Sequence, residues 1–148
     1  MAFERFVGEV EPRLRRALIV TYGGEVGLEA TADALAYAWE HWDRLASCPN
    51  PAGYLFRVGQ TSARRQRRPS LTAWPPVPPE EPNFEPGLLP ALIALSEQQR
   101  AVVMLVHGYG WSLREVAAML DLSLSTVRNH LDRALSRLRH ALEVDHVG

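Results

Sequence analysis

Apolar residues fall at helical spacing along most of this chain, and the pattern is sharpest toward its C-terminal end. Leu113, Val116, Ala117 and Leu120 recur at i, i+3, i+4 and i+7, which predicts a one-faced helix of about two turns, too short to stand without a partner. Val127, Leu131, Ala134, Leu135 and Leu138 continue that spacing in a longer helix. Ser96 with Gln99, and Ser112 with Glu115, are S-x-x-E/Q pairs, so each predicts a helix start just before an apolar run. Gly108 and Gly110 supply the open backbone on which the first run stops. Asp121-Leu122-Ser123 reads as a three-residue turn, with Ser123 the N-cap of the long helix. Leu95 to Leu142 is thus one supporting helix followed by a helix-turn-helix, a unit that lays its second helix in the DNA major groove.

The first half carries a second helical pattern. Phe3, Phe6, Val7, Val10, Leu14, Ala17 and Leu18 share one face, Pro12 predicts a kink or restart, and Tyr22-Gly23-Gly24 ends the element. A second helix is expected from Glu25 to Leu45, with Leu28, Ala32, Leu35, Trp39 and Trp42 as its buried seam. Asn50-Pro51 pairs a capping residue with proline at the first helical position, and the third helix buries Tyr54, Leu55 and Val58. Pro69 to Pro90 holds eight prolines, three glutamates and no basic residue, which predicts an extended linker. The expected architecture is all-α, with small helical domains at 1–68 and 89–143 joined by a Pro-rich linker at 69–88 and touching little unless a partner clamps them.

Composition narrows the chemistry. At 148 residues with net charge −1 the chain is not globally basic, so any nucleic-acid affinity depends on where charge is placed. Its 16 basic residues are all Arg, the residue suited to bidentate contacts. Cys48 is the single cysteine and the five histidines are scattered, so no disulfide, metal or cofactor is expected. No apolar run approaches a membrane span, and the default compartment is the cytoplasm. Nucleophile, base and orienting group form no recognisable constellation, which points away from an enzyme.

Charge is concentrated on two helices. Arg57, Thr61, Arg64 and Arg68 stand at i, i+4, i+7 and i+11 with Arg65 and Arg67 beside them, a density that suits phosphate binding. On the long C-terminal helix Ser125, Asn129, Asp132 and Ser136 form a polar face flanked by Arg128 and Arg133. Arg reads guanine and Asn reads adenine, so its first turns carry major-groove chemistry.

These modules resemble an RNA polymerase sigma factor of the extracytoplasmic-function (ECF) type. Ala38-Trp39-Glu40-His41-Trp42-Asp43-Arg44-Leu45 and Asn50-Pro51-Ala52-Gly53-Tyr54-Leu55-Phe56-Arg57-Val58 look like the end of region 2.2 and the start of regions 2.3 and 2.4, and Leu95 to Leu142 looks like region 4. The family's acidic-Leu-x-Gln-Glu-x-Phe pattern reads here Glu29-Ala30-Thr31-Ala32-Asp33-Ala34-Leu35, and its basic recognition-helix positions are His130 and Asp132. The resemblance implies core RNA polymerase and promoter DNA as partners, with an anti-sigma factor or other regulator as a further one. It implies polymerase docking through Glu29, Asp33 and Leu35, and minus-10 contacts from Asn50, Tyr54, Arg57, Thr61, Arg64, Arg65 and Arg68. The implied minus-35 contacts are Ser125, Thr126, Arg128, Asn129, Asp132, Arg133 and Arg137. Two other readings stay open: a regulator with a LuxR-type helix-turn-helix, which Thr126 to Leu131 also resembles, and a degenerate sigma-like interaction protein.

Overall fold

The computed structural model describes residues 2–66 and 87–147. Arg68 and most of the expected linker lie outside the described residues, among which there is no strand. The first module comprises α1 (Ala2–Tyr22), α2 (Gly24–Glu40), the single-turn α3 (Trp42–Ala46) and α4 (Pro51–Gln66). The second comprises α5 (Leu88–Ile93), α6 (Glu97–Val103) running into a π-helical turn (Met104–Gly108), α7 (Leu113–Leu120) and α8 (Leu124–Val147).

Local signals act where the sequence predicts. Ser96 and Ser112 each accept from the backbone N–H three residues on while Gln99 and Glu115 reach back. Gly23, at φ 96°, separates α1 from α2, a conformation open to glycine at no steric cost. Asn50 Oδ1 accepts from Gly53 N–H at 3.2 Å, and Pro51 follows at the position where a missing amide costs nothing. Pro12 brings no restart: α1 is continuous from Ala2 to Tyr22 with Pro12 inside it. Gly8, whose carbonyl loses the amide that Pro12 lacks, is exposed, so water satisfies that carbonyl. The expected second helix is instead two, broken at His41, whose φ of −121° leaves the helical range.

The buried face of α2 is not the expected seam. Val26, Gly27, Ala30, Thr31, Ala34 and Ala38 point inward, whereas Leu28 is 52% and Trp39 64% exposed. The cause is closeness, because α2 packs against both α1 and α4. A Cβ on Gly27 would stand 2.6 Å from Ile19 Cα of α1. Small residues are therefore required on the inner face, and the larger apolar ones are turned out. Trp42 is half-buried, ringed by Phe3 and Phe6 at 5.3 and 5.2 Å. Tyr54, also expected inside, is 40% exposed, while Leu55 and Phe56 are buried beside it.

The expectation of two modules with little contact is also corrected. One buried cluster joins Leu14, Leu18, Leu55 and Phe56 of the first module to Val102, Leu105, Trp111, Val116 and Leu120 of the second. Helix α1 lies on α6 and α4 lies on α7. Neither half is large enough to bury its own apolar residues fully, and each supplies the other's missing wall. A second cluster, around Leu92, Leu95, Val103, Ala134 and Leu138, belongs to the second module alone.

Candidate nucleic-acid interface

The helix-turn-helix is built by three backbone decisions. Asp121 ends α7 in the left-handed conformation, φ 55°, which Asp tolerates better than most side chains. Leu122 N–H then returns to Ala117 O at 2.9 Å, closing the turn. Ser123 caps α8, its Oγ accepting from Thr126 N–H at 3.1 Å and meeting Thr126 Oγ1 at 2.7 Å. Val127, Ala134 and Leu138 are buried and Leu131 packs against both clusters, so the polar face of α8 is held outward.

Six of the seven residues expected on that face lie together and accessible. Ser125, Arg128, Asn129, Asp132 and Arg133 are exposed and Thr126 is half-buried at the cap. Arg137 is placed differently: its two Nη groups donate to Gln99 Oε1 at 2.9 Å and Ala94 O at 3.0 Å, bracing α8 against the α5–α6 turn. His130, at one of the family's basic positions, has its pKa lowered first by burial and then by the Arg133 charge. The formal positive charge of this stretch comes from Arg128 and Arg133.

Helix α4 divides its expected DNA-facing residues between two faces. Asn50, Arg57 and Arg64, seven apart, turn toward the second module. Asn50 Nδ2 donates to Ala118 O at 2.7 Å, Arg57 Nε pairs with Asp121 Oδ2 at 3.0 Å, and Arg64 Nη2 stands 3.6 Å from Glu97 Oε2. Tyr54, Thr61 and Arg65 are exposed on the adjoining face. There Tyr54 shares a 3.1 Å hydroxyl contact with Tyr37, whose ring stacks on His41 at 4.1 Å. The shared hydroxyl contact is the first cause of the raised Tyr37 pKa.

The outer face of α2 carries the residues expected to meet polymerase. Glu29 is exposed, Asp33 is exposed and accepts from Ser62 Oγ of α4, and Leu35 is half-buried against the core. Sequence reasoning missed Leu28 and Trp39, which lie on the same outer face with Ala32 and Ala36. Gly27 with the row of small residues behind it was the available signal that the opposite face is inside. It also missed Arg100, whose guanidinium donates to Leu95 O at 3.2 Å and Thr21 O at 2.8 Å and ties the α5–α6 turn to the end of α1.

Comparison with known proteins extends over both modules. Residues 91–140 match the family model for Sigma-70, region 4. The RNA polymerase sigma-E factor of Streptomyces antibioticus is 32% identical over 120 residues, covering 74% of this chain and 67% of the relative. The ECF RNA polymerase sigma factor SigL of Mycobacterium tuberculosis is 28% identical over 144 residues, covering 87% of this chain and 81% of SigL. Among solved structures, the sigma factor RpoE of Bartonella quintana, in complex with the anti-sigma factor NepR, has the same fold. Its TM-score is 0.66 at 24% identity, over 97% of this chain and 98% of RpoE. CnrH, in complex with the cytosolic domain of CnrY, has a TM-score of 0.61 at 25% identity, over 97% of this chain and 89% of CnrH. A helix-turn-helix alone would not require a first module of this kind, and here both are matched: the chain belongs to the ECF family of RNA polymerase sigma factors.

Proposed function

We propose that this ECF sigma factor binds core RNA polymerase through the outer face of α2 and directs it to promoters read by α4 and α8. The observation that carries the α8 part is the inward burial of Val127, Ala134 and Leu138, which leaves Ser125, Arg128, Asn129 and Asp132 exposed on the first turns. That is the part of a recognition helix that reaches base edges. Docking is supported by Leu28 and Trp39, large apolar side chains on an exposed face beside Glu29 and Asp33. An exposed apolar stripe with an acidic flank fits a partner that is apolar and basic. On this reading Tyr54, Thr61 and Arg65, with Asn50, Arg57, Arg64 and Arg68, serve the minus-10 element. Ser125, Thr126, Arg128, Asn129, Asp132 and Arg133 serve the minus-35 element, and Arg137 orients them.

No chemistry is asked of the chain itself. Its contribution is binding energy that positions polymerase and stabilises separated strands, in the cytoplasm where polymerase works. RpoE of Bartonella quintana is solved in complex with the anti-sigma factor NepR, and a regulator of that class is the natural partner to seek here. The test is run-off transcription by purified core polymerase on fragmented genomic DNA, with and without the chain. Transcripts that depend on the chain and share two upstream elements are expected, and Glu29→Arg should reduce them by weakening docking. If adding the chain creates no new start sites although its duplex binding is intact, it is a helix-turn-helix regulator of the LuxR kind instead.

A further inference from the structure

We propose that Ser62 of α4 is a positioning residue for polymerase docking, its hydroxyl holding the Asp33 carboxylate of α2 ready for the partner. The inference rests on the docking reading of the α2 outer face and adds to that site a residue from another helix. Asp33 is exposed, yet it is not free to rotate, because it accepts from Ser62 Oγ. Ser62 is held in turn, since Gln66 Nε2 donates to its Oγ at 3.3 Å. A chain of donors thus runs from Gln66 through Ser62 and ends on a carboxylate, whose charge strengthens the last bond. Glu29, one turn earlier on the same face, is also exposed, and its carboxylate has no hydrogen bond or ion pair among the described residues. Of the two acids, Asp33 is the one held in place.

Serine and aspartate are short side chains, so this pair can meet only where the two backbones run close. They do so here: α2 packs along α4, and the neighbouring Ala34 and Ala63 are buried. The nature of the partner matters as well. A hydroxyl orients a carboxylate without neutralising it, which leaves the charge and a second oxygen for a basic partner. Arg65 lines the same groove between the helices, is exposed and makes no ion pair with Asp33 among the described residues. With the Ser62 hydroxyl removed, that guanidinium competes for the carboxylate. An acid fixed before the partner arrives loses less freedom on binding than one that must be ordered there.

The test is equilibrium titration of the full chain against purified core polymerase, run as a double-mutant cycle of Ser62→Ala and Asp33→Ala. Melting curves taken alongside separate lost folding from lost docking. Ser62→Ala should weaken core binding about three- to tenfold, the weight of ordering one side chain on binding. Ser62→Thr keeps the hydroxyl and should restore it. In the Asp33→Ala background, Ser62→Ala should change nothing further. A serine that only supported the helix pair would lower affinity equally in both backgrounds, and that result would overturn the proposal. So would an unchanged core affinity for Ser62→Ala where Asp33→Ala weakens binding. Asp33→Glu keeps the charge but moves the carboxylate off Ser62 by one methylene, and it should lose affinity as Ser62→Ala does. Full affinity for Asp33→Glu would show that charge alone suffices and that positioning is not needed. If Asp33→Ala binds core polymerase as tightly as the unaltered chain, the docking reading fails at Asp33 and the role of Ser62 falls with it.

Discussion

Helices α4 and α8 carry the same chemistry in sequence and opposite circumstances in the fold. Both are arginine-bearing helices with a capping residue before the first turn and apolar positions at helical spacing. On α8 the apolar face is taken up by α5, α6 and α7, and the polar face between Ser125 and Arg133 is left to solvent. On α4 the polar side itself is divided. The row Asn50, Arg57, Arg64 meets Ala118, Asp121 and Glu97 of the second module, and the row Tyr54, Thr61, Arg65 is exposed without such contacts to that module. The difference teaches that a basic helix face is not by itself a measure of available binding surface. Residues seven apart on a helix line up as well for a neighbouring helix as for a phosphate backbone.

The comparison breaks most visibly through the core that joins α4 to the second module. Leu105 is fully buried in that cluster, and Leu105→Ala should cost about 2–5 kcal/mol. Because the cluster is shared, tryptophan fluorescence and far-UV circular dichroism should report one transition shifted by the same amount. A melt in which only part of the helix signal moves would show that α4 is not coupled to the second module as described.

A smaller effect is expected at Arg128, on the open face of α8 proposed to read DNA. Arg128→Ala should weaken the full chain's preferred duplex by about 1–3 kcal/mol and random duplex by much less, since a lost bidentate base contact removes discrimination. Arg57→Ala should cost less on the preferred duplex at low salt, because its guanidinium is already paired with Asp121. Equal losses for the two variants on both duplexes would erase the distinction between the helices.

Within α8 itself, Arg133 and Arg137 should separate. Arg137→Ala removes hydrogen bonds to Gln99 and Ala94 and should cost about 1 kcal/mol of stability with little change in the salt dependence of binding. Arg133→Ala should do the reverse, flattening the slope of log affinity against log salt by about one unit. Titrations at several salt concentrations, paired with melting curves, read both quantities.

The smallest effect is on pH. Hydrogen bonds from Ser112, backbone and side chain, hold the Glu115 carboxyl below its usual value, with Arg13 adding to the shift. A depressed carboxylate pKa contributes stability that is present above the unfolded value and lost as pH falls through the folded one. The lowered His130 works in the same direction, stability falling as pH drops from the ordinary histidine value toward the folded one. Glu115→Gln should remove the acidic part of this dependence and leave the part near the histidine range, as melting temperature against pH would reveal.

Much of this was legible in the chain. The Ser96 and Ser112 capping pairs, the Asp121 turn, the Ser123 cap and the inward face of α8 are set by interactions a few residues long, so local sequence specifies them. The outward placement of Ser125, Arg128 and Asn129 follows from those same residues by helical geometry alone. Helix α2 shows where that reasoning stops. It has two apolar faces, one of small residues and one with Leu28 and Trp39, and periodicity cannot rank them. The close approach of Ile19 to Gly27 is a contact between two helices, and it decides for the small face.

The partnership of Arg57 with Asp121, of Arg64 with Glu97 and of Arg137 with Gln99 was likewise beyond the sequence. Each joins residues at least 33 positions apart, and whether a guanidinium finds a carboxylate, an amide oxygen or water depends on how whole helices are stacked. The sequence by itself determined the helices, their caps and the chemistry each one carries. Only the tertiary structure decided which of those faces are spent on one another, because burial is a property of neighbours and not of the chain's own periodicity.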